Sequence, residues 1–167
     1  TITIRGVFPT YRFTQVPALI AGGDLSATVA VSSRVNVYTT GSVVRGTDTR
    51  TNEPLFLMPS DRLRLGTHVH AEDVLFLHDA YVDVSVMGVR RQDRYVPDAD
   101  YAPPPDGYVL TDVSVGGMID LAEGVQSRLT ISCLNVFDVA YRDYLSRYRY
   151  FADDPGRNLI VRFTTTF

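Results

Sequence analysis

Two histidines, His68 and His70, stand two residues apart, and on a β-strand that spacing turns both imidazoles to one face, where they could share a metal ion. A third ligand is missing. A turn at Glu72-Asp73 sets His78 opposite Thr67, on the other face, so the pair reads better as two imidazoles facing water, and no metal is assigned. The second chemically dense stretch, Tyr141-Arg142-Asp143-Tyr144-Leu145-Ser146-Arg147-Tyr148-Arg149-Tyr150-Phe151, interleaves cations with aromatic rings. Such a surface can stack on and neutralise an anionic or catecholate ligand, which makes Arg142, Tyr144, Arg147, Tyr148 and Arg149 the candidate ligand-binding residues. The alternative is that these arginines pair with carboxylates of neighbouring loops and order a long loop. Asp153-Asp154, before Pro155, reads as loop solvation. No nucleophilic triad, phosphate-cradling glycine loop or acid–base carboxylate pair occurs. No catalytic residue is therefore assigned, no cofactor is expected, and the chain is not read as an enzyme.

All sixteen basic residues are arginine, set against 19 acidic ones for a net charge of -3, which gives no reason to expect nucleic acid as a partner. Cys133 is the only cysteine; it excludes an internal disulfide and argues against a thiolate metal cluster. No segment approaches the roughly 18 uninterrupted apolar residues of a membrane helix. At 167 residues the chain has room for one domain, and alternation dominates it in place of apolar blocks.

That alternation reads as about eight strands in an all-β, antiparallel fold. Thr1 to Val7 is a short first strand. Leu19, Ala21, Gly23, Leu25, Ala27, Val29 and Val31 form the small or apolar face of the next, which turns at Ser32-Ser33-Arg34 and returns through Val35, Val37 and Val43. Leu63, Leu65, Thr67 and Val69 alternate with Arg64, Gly66, His68 and His70. Further strands cover Val74 to Val89, Tyr108 to Ile119, Gln126 to Phe137 and Asn158 to Phe167, each at the period of two that a half-buried strand requires. If Glu72-Asp73 is the turn, Leu63 faces Val82 and Arg62 faces Asp83, giving an inward Arg62–Asp83 ion pair on the polar side.

The connections alternate in length: short at Ser32–Arg34, Glu72-Asp73 and Asp120–Val125, long at Phe8–Pro17, Arg45–Asp61, Arg90–Gly107 and Val139–Asn158. Short turns at one end, long loops at the other, and one apolar face on every strand are the pattern of an up-and-down transmembrane β-barrel. Two rivals share the alternation. One is a complete eight-stranded barrel serving as an anchor or structural subunit; the other is a soluble β-sandwich binding module.

The last third carries a family resemblance. Asn135-Val136-Phe137-Asp138-Val139-Ala140-Tyr141, a tyrosine-rich loop, Pro155-Gly156-Arg157 and a strand ending in Phe167 resemble the C-terminal end of TonB-dependent outer-membrane receptors. Gly22-Gly23-Asp24 and Met58-Pro59-Ser60-Asp61-Arg62 are similar to further elements of the family, while Val136 and Thr165 depart from its usual leucine and aromatic. The resemblance implies that residues 1–167 form the C-terminal segment of a barrel of about 22 strands, in the lipid bilayer of the outer membrane. Phe163 and Phe167 would belong to the signal read by the barrel-assembly machinery. An N-terminal barrel portion and plug would link it to an energy-transducing inner-membrane complex, and the parent would take up a scarce ligand such as a metal chelate.

Overall fold

The computed structural model describes residues 14–97, 99–122 and 125–166. Seven strands run through them: β1 (Ala18–Ala30), β2 (Val35–Asp48), β3 (Arg62–Val74), β4 (Leu77–Val89), β5 (Tyr108–Ala122), β6 (Val125–Leu134) and β7 (Asn158–Thr166). They form one antiparallel up-and-down sheet in chain order, with a single 3-10 turn, Arg147–Tyr150, as the helical content of the described residues. No second sheet packs on the first among those residues, so their architecture is not a sandwich. The predicted strand at Thr1 to Val7 and the terminal Phe167 lie outside the described residues. β1 and β7 are the two edges and do not pair with each other.

Because successive side chains alternate, the registers sort the sheet into two faces. Leu25, Gly41, Leu63, Gly88 and Val109 form one row across five strands, and Val29, Val37, Thr67, Val84, Val113, Cys133 and Leu159 form another across all seven. The opposite face carries Asn36, His68, Asp83, Ser114 and Ser132 in one row. Arg162 lies on that polar face, opposite Thr130, while Val161 and Phe163 lie on the apolar one. The apolar side chains are not buried against anything in the chain: Leu63 is 47% exposed and Leu159 67%. Among the described residues the buried apolar side chains are only Ala80, Val89, Leu110 and Tyr144.

The β3–β4 hairpin corrects the register expected from sequence. Its turn is Leu75-Phe76, Val74 pairs with Leu77, and Leu63 faces Gly88 where Val82 was expected. Leu75 holds φ at 57°, the left-handed conformation that two-residue hairpin turns require. Neither turn residue is a turn former, so composition pointed to the acidic pair instead. The slip is by an even number of residues, so every side chain keeps its face and polarity matches equally well in both registers. The Arg62–Asp83 pair does not form: Arg62 lies opposite Val89 and Asp83 opposite His68. β6 also ends earlier than expected, at Leu134, because Asn135 turns into the left-handed region at φ 50°.

Among the described residues the short connections 31–34 and 75–76 fall at one end of the sheet, where β5 ends and β6 begins, and the long ones, 49–61, 90–107 and 135–157, at the other.

Candidate functional site

The polar face is built around two tyrosines that fill space left by glycines. Tyr38 pairs with Gly66, and a Cβ at Gly66 would overlap the Tyr38 ring; Tyr81 stands in the same relation to Gly116. The glycine admits the ring, and the ring covers the backbone the glycine leaves bare. So placed, the Tyr38 hydroxyl donates to Asp83 at 2.9 Å, whose other oxygen lies 3.5 Å from His68 Nδ1. His68 in turn stacks on Tyr81 with ring centroids 5.2 Å apart. Nearer the loop end, Arg64 donates to Ser85 at 2.8 Å and to Asp112 at 3.1 Å. The His70 ring is 6.5 Å from that of His68, and no three metal-binding side chains converge among the described residues. His78 sits at the turn end, its two nitrogens 2.5 Å from Asp73 and 3.4 Å from Asp120.

At the other end the long loops lock into a cap. The Asn135 side chain closes a ring on Val139, donating to its carbonyl and accepting from its N–H, both at 2.9 Å. Asp138, also at positive φ, accepts from the Arg157 N–H at 2.7 Å. A Cβ on Gly156 would sit 2.6 Å from that carboxylate, which explains glycine between Pro155 and Arg157. Asp143 accepts from the Tyr108 hydroxyl at 2.9 Å and faces Arg62 at 3.6 Å.

The centre of the cap is Arg149, only 4% exposed. Its guanidinium is bonded to Asp100, donates to Pro103 O and the Tyr150 hydroxyl, and lies 4.8 Å from the Tyr144 ring centroid. A charge so far from water persists because a carboxylate and two aromatic faces replace its hydration. Burial, with Asp100 nearby, pushes the Tyr144 hydroxyl above its ordinary pKa against the opposing pull of Arg149. Gln92 ties a second pair of loops together through the carbonyls of Met58 and Pro59. At the cap's edge, hydrogen bonds from Arg45 hold the Asp61 carboxyl below its usual range.

The five candidate ligand-binding residues therefore divide. Arg149 and Tyr144 are buried in the cap, and Arg142 is committed to Asp153 at 2.6 Å and to the Arg149 carbonyl. Arg147 and Tyr148 are exposed on the 3-10 turn. Of the two assembly-signal residues, Phe163 lies on the apolar face of β7 and Phe167 is outside the described residues. Sequence reasoning missed Asp100 and Asp143, the two carboxylates that gather the loops. Nothing in their neighbourhood signals this, because their partners are up to about fifty positions away in the chain.

No family model and no curated protein matches the sequence. Among solved structures the chain is similar to one described as "Copper transporter OprC", with a TM-score of 0.75 at 17% identity over 92% of this chain. The likeness is one of fold. It covers 24% of the transporter's own chain, so these residues correspond to about a quarter of that length. This chain thus has the antiparallel, up-and-down architecture of a barrel wall.

Proposed function

We propose that the chain is the C-terminal part of an outer-membrane transporter of the TonB-dependent receptor kind, contributing β1–β7 to a larger barrel. The observation that carries this reading is the division of the sheet into an exposed apolar face and a polar one whose side chains hydrogen-bond to one another across β2–β6. A contiguous apolar surface of this extent is costly in water and favourable against lipid. Strand length fits as well: β3 and β4 have 13 residues each, about 43 Å of extended chain, which at a tilt of about 45° rises about 30 Å, the thickness of the hydrocarbon core.

In this reading the polar face looks into a plugged lumen and the long loops form the outer cap. Arg147 and Tyr148, exposed on that cap, contact the ligand, a scarce solute such as a metal chelate; the fold likeness to a protein described as a copper transporter supports a transport role over catalysis. Assembly uses the barrel-assembly machinery through Phe163 and Phe167, and transport draws on an inner-membrane energy-transducing complex through the plug.

Expression of the full-length gene product in a Gram-negative host tests this. The expected result is a protein in the outer-membrane fraction that migrates faster unheated than boiled, and that loses this species when Phe167 is deleted. A protein recovered in the soluble fraction without detergent would refute the reading.

A further inference from the structure

We infer that the apolar side of β1–β5 carries a binding site for one phosphate-bearing lipid, its acyl chain laid in a glycine-floored trough and its head at Arg90; this rests on the reading of that face as a membrane wall. A trough of about 1170 Å³ runs across Gly23, Leu25, Gly41, Leu63, Gly88 and Val109, and Val139 and Ala140 of the last long loop close one side of it. Other glycines of the sheet are explained within the chain: Gly66 and Gly116 admit tyrosine rings, Gly41 lies against Leu63, and Gly22 and Gly107 press on neighbouring backbone. Gly23 and Gly88 are different. A Cβ on either would meet nothing within 4 Å, and neither holds a left-handed φ, so no contact or conformation among the described residues requires glycine at these two positions. Glycine inside a strand weakens it, and it marks places where a ligand or another backbone comes close.

The surroundings indicate the occupant. Asp24 and Arg62 border the trough but, in register with Ser42, belong to the opposite face, so on the trough side charge is confined to the loop end. There the Arg90 N–H donates to the Asp61 carbonyl at 2.9 Å, which extends the ladder past β4 and sets the Arg90 side chain on the face of Gly88. Arg45, opposite Ala21 on the same face, donates to both oxygens of Asp61 and neutralises that carboxylate. The Arg90 guanidinium lies 3.1 Å from Asp93, with the two side chains 69% and 57% exposed. So exposed a pair is weak, and a phosphate offers more oxygens for charge-assisted bonds. An apolar length with a cation at its watery end is the complement of a phosphorylated lipid, whereas a water-soluble ligand calls for polar groups along the site, and the row from Leu25 to Val109 supplies none. With strands tilted by about 45°, a trough that crosses them is itself oblique to the bilayer, so an acyl chain can follow it.

The full-length protein, extracted from outer membranes in a mild detergent, is titrated with dioleoyl phosphatidic acid and separately with dioleoylglycerol, which differs only in lacking the phosphate, and bound lipid is counted by native mass spectrometry. The expected result is one tight phosphatidic acid adduct, with dioleoylglycerol bound about tenfold more weakly. Gly88→Leu fills the trough and should weaken both lipids by about tenfold; Arg90→Gln should bring phosphatidic acid down to the level of dioleoylglycerol. Val84→Leu, which adds bulk elsewhere on the same face, should leave the adduct unchanged. A heat-modifiable Gly88→Leu protein that binds phosphatidic acid within about threefold of wild type would overturn the inference. So would a wild-type dimer that Gly88→Leu abolishes, since a second copy would then occupy the trough. If Gly88→Leu does not assemble, Gly23→Leu carries the same test with the same outcomes. Failure of the unmodified protein to form a heat-modifiable barrel strikes at the transporter reading, whereas a folded barrel without the tight adduct strikes only at the lipid site.

Discussion

Replacing Arg149 with alanine removes a guanidinium that is 4% exposed and leaves the Asp100 carboxylate, its side chain 9% exposed, without its counter-charge. Breaking a buried ion pair from one side costs about 3–5 kcal/mol. Asp100 keeps two donors, the Tyr150 hydroxyl at 2.6 Å and the Tyr101 N–H at 2.7 Å, which sets the expected cost near the lower end, about 3 kcal/mol. The loss falls on the cap and not on the strands, whose ladder does not involve Arg149. At 1.4 kcal/mol per factor of ten, it amounts to roughly a hundredfold in the local opening equilibrium. Amide hydrogen exchange in detergent is the assay: segments 99–107 and 141–154 should lose about a hundredfold in protection while β3–β5 keep theirs. Arg149→Met combined with Asp100→Leu should lose far less, since no charge is stranded. Cap protection within about threefold of wild type in Arg149→Ala, or equal losses in the single and double variants, would refute the reasoning.

Acid should weaken the cap edge in a defined window. Asp61 is held below its usual pKa by Arg45, so its contribution is complete above the unfolded value of about 3.9 and is lost as pH falls through the lower folded value; Asp61→Asn should flatten a urea-stability profile taken between pH 2 and 5. Gly66→Ala drives a methyl into the Tyr38 ring and disturbs the Tyr38–Asp83 hydrogen bond, for an expected loss of about 1–3 kcal/mol in urea unfolding. Gly88→Ala, where nothing lies within 4 Å of the added carbon, should stay within about 0.5 kcal/mol of wild type. Leu75, 95% exposed with φ at 57°, carries a left-handed penalty of about 1–2 kcal/mol, so Leu75→Gly should raise the stability read from urea unfolding by about 1 kcal/mol.

What the sequence made legible was whatever repeats with a period of two. The face of each side chain on β1–β7 follows from alternation alone, and the strand limits came out within a few residues because proline, glycine and aspartate cluster in the long loops. Register was less accessible. The Leu75-Phe76 turn has no compositional mark, and an even slip leaves polarity matching unchanged, so Glu72-Asp73 attracted the turn and with it the Arg62–Asp83 pairing. The loop cap was the least legible part. That arginines near Tyr144 pair with loop carboxylates was one of two open readings, but the choice of Asp100 for Arg149 and of Asp143 for Arg62 depends on three loops meeting in space. Tyr38 over Gly66 is intermediate: both residues were visible on the polar face, and only the register joins them.

The claim that the odd-numbered positions of β3 face lipid is open to direct measurement. Nitroxide labels placed singly at positions 63, 65 and 69, and at 64, 68 and 70, in a Cys133→Ser background of the full-length protein in liposomes, report collision with oxygen and with a water-soluble nickel chelate. The expected result is alternation with a period of two: oxygen dominates at Leu63, Leu65 and Val69, and nickel at Arg64, His68 and His70. Equal access of the nickel chelate to both sets would contradict a membrane-spanning wall.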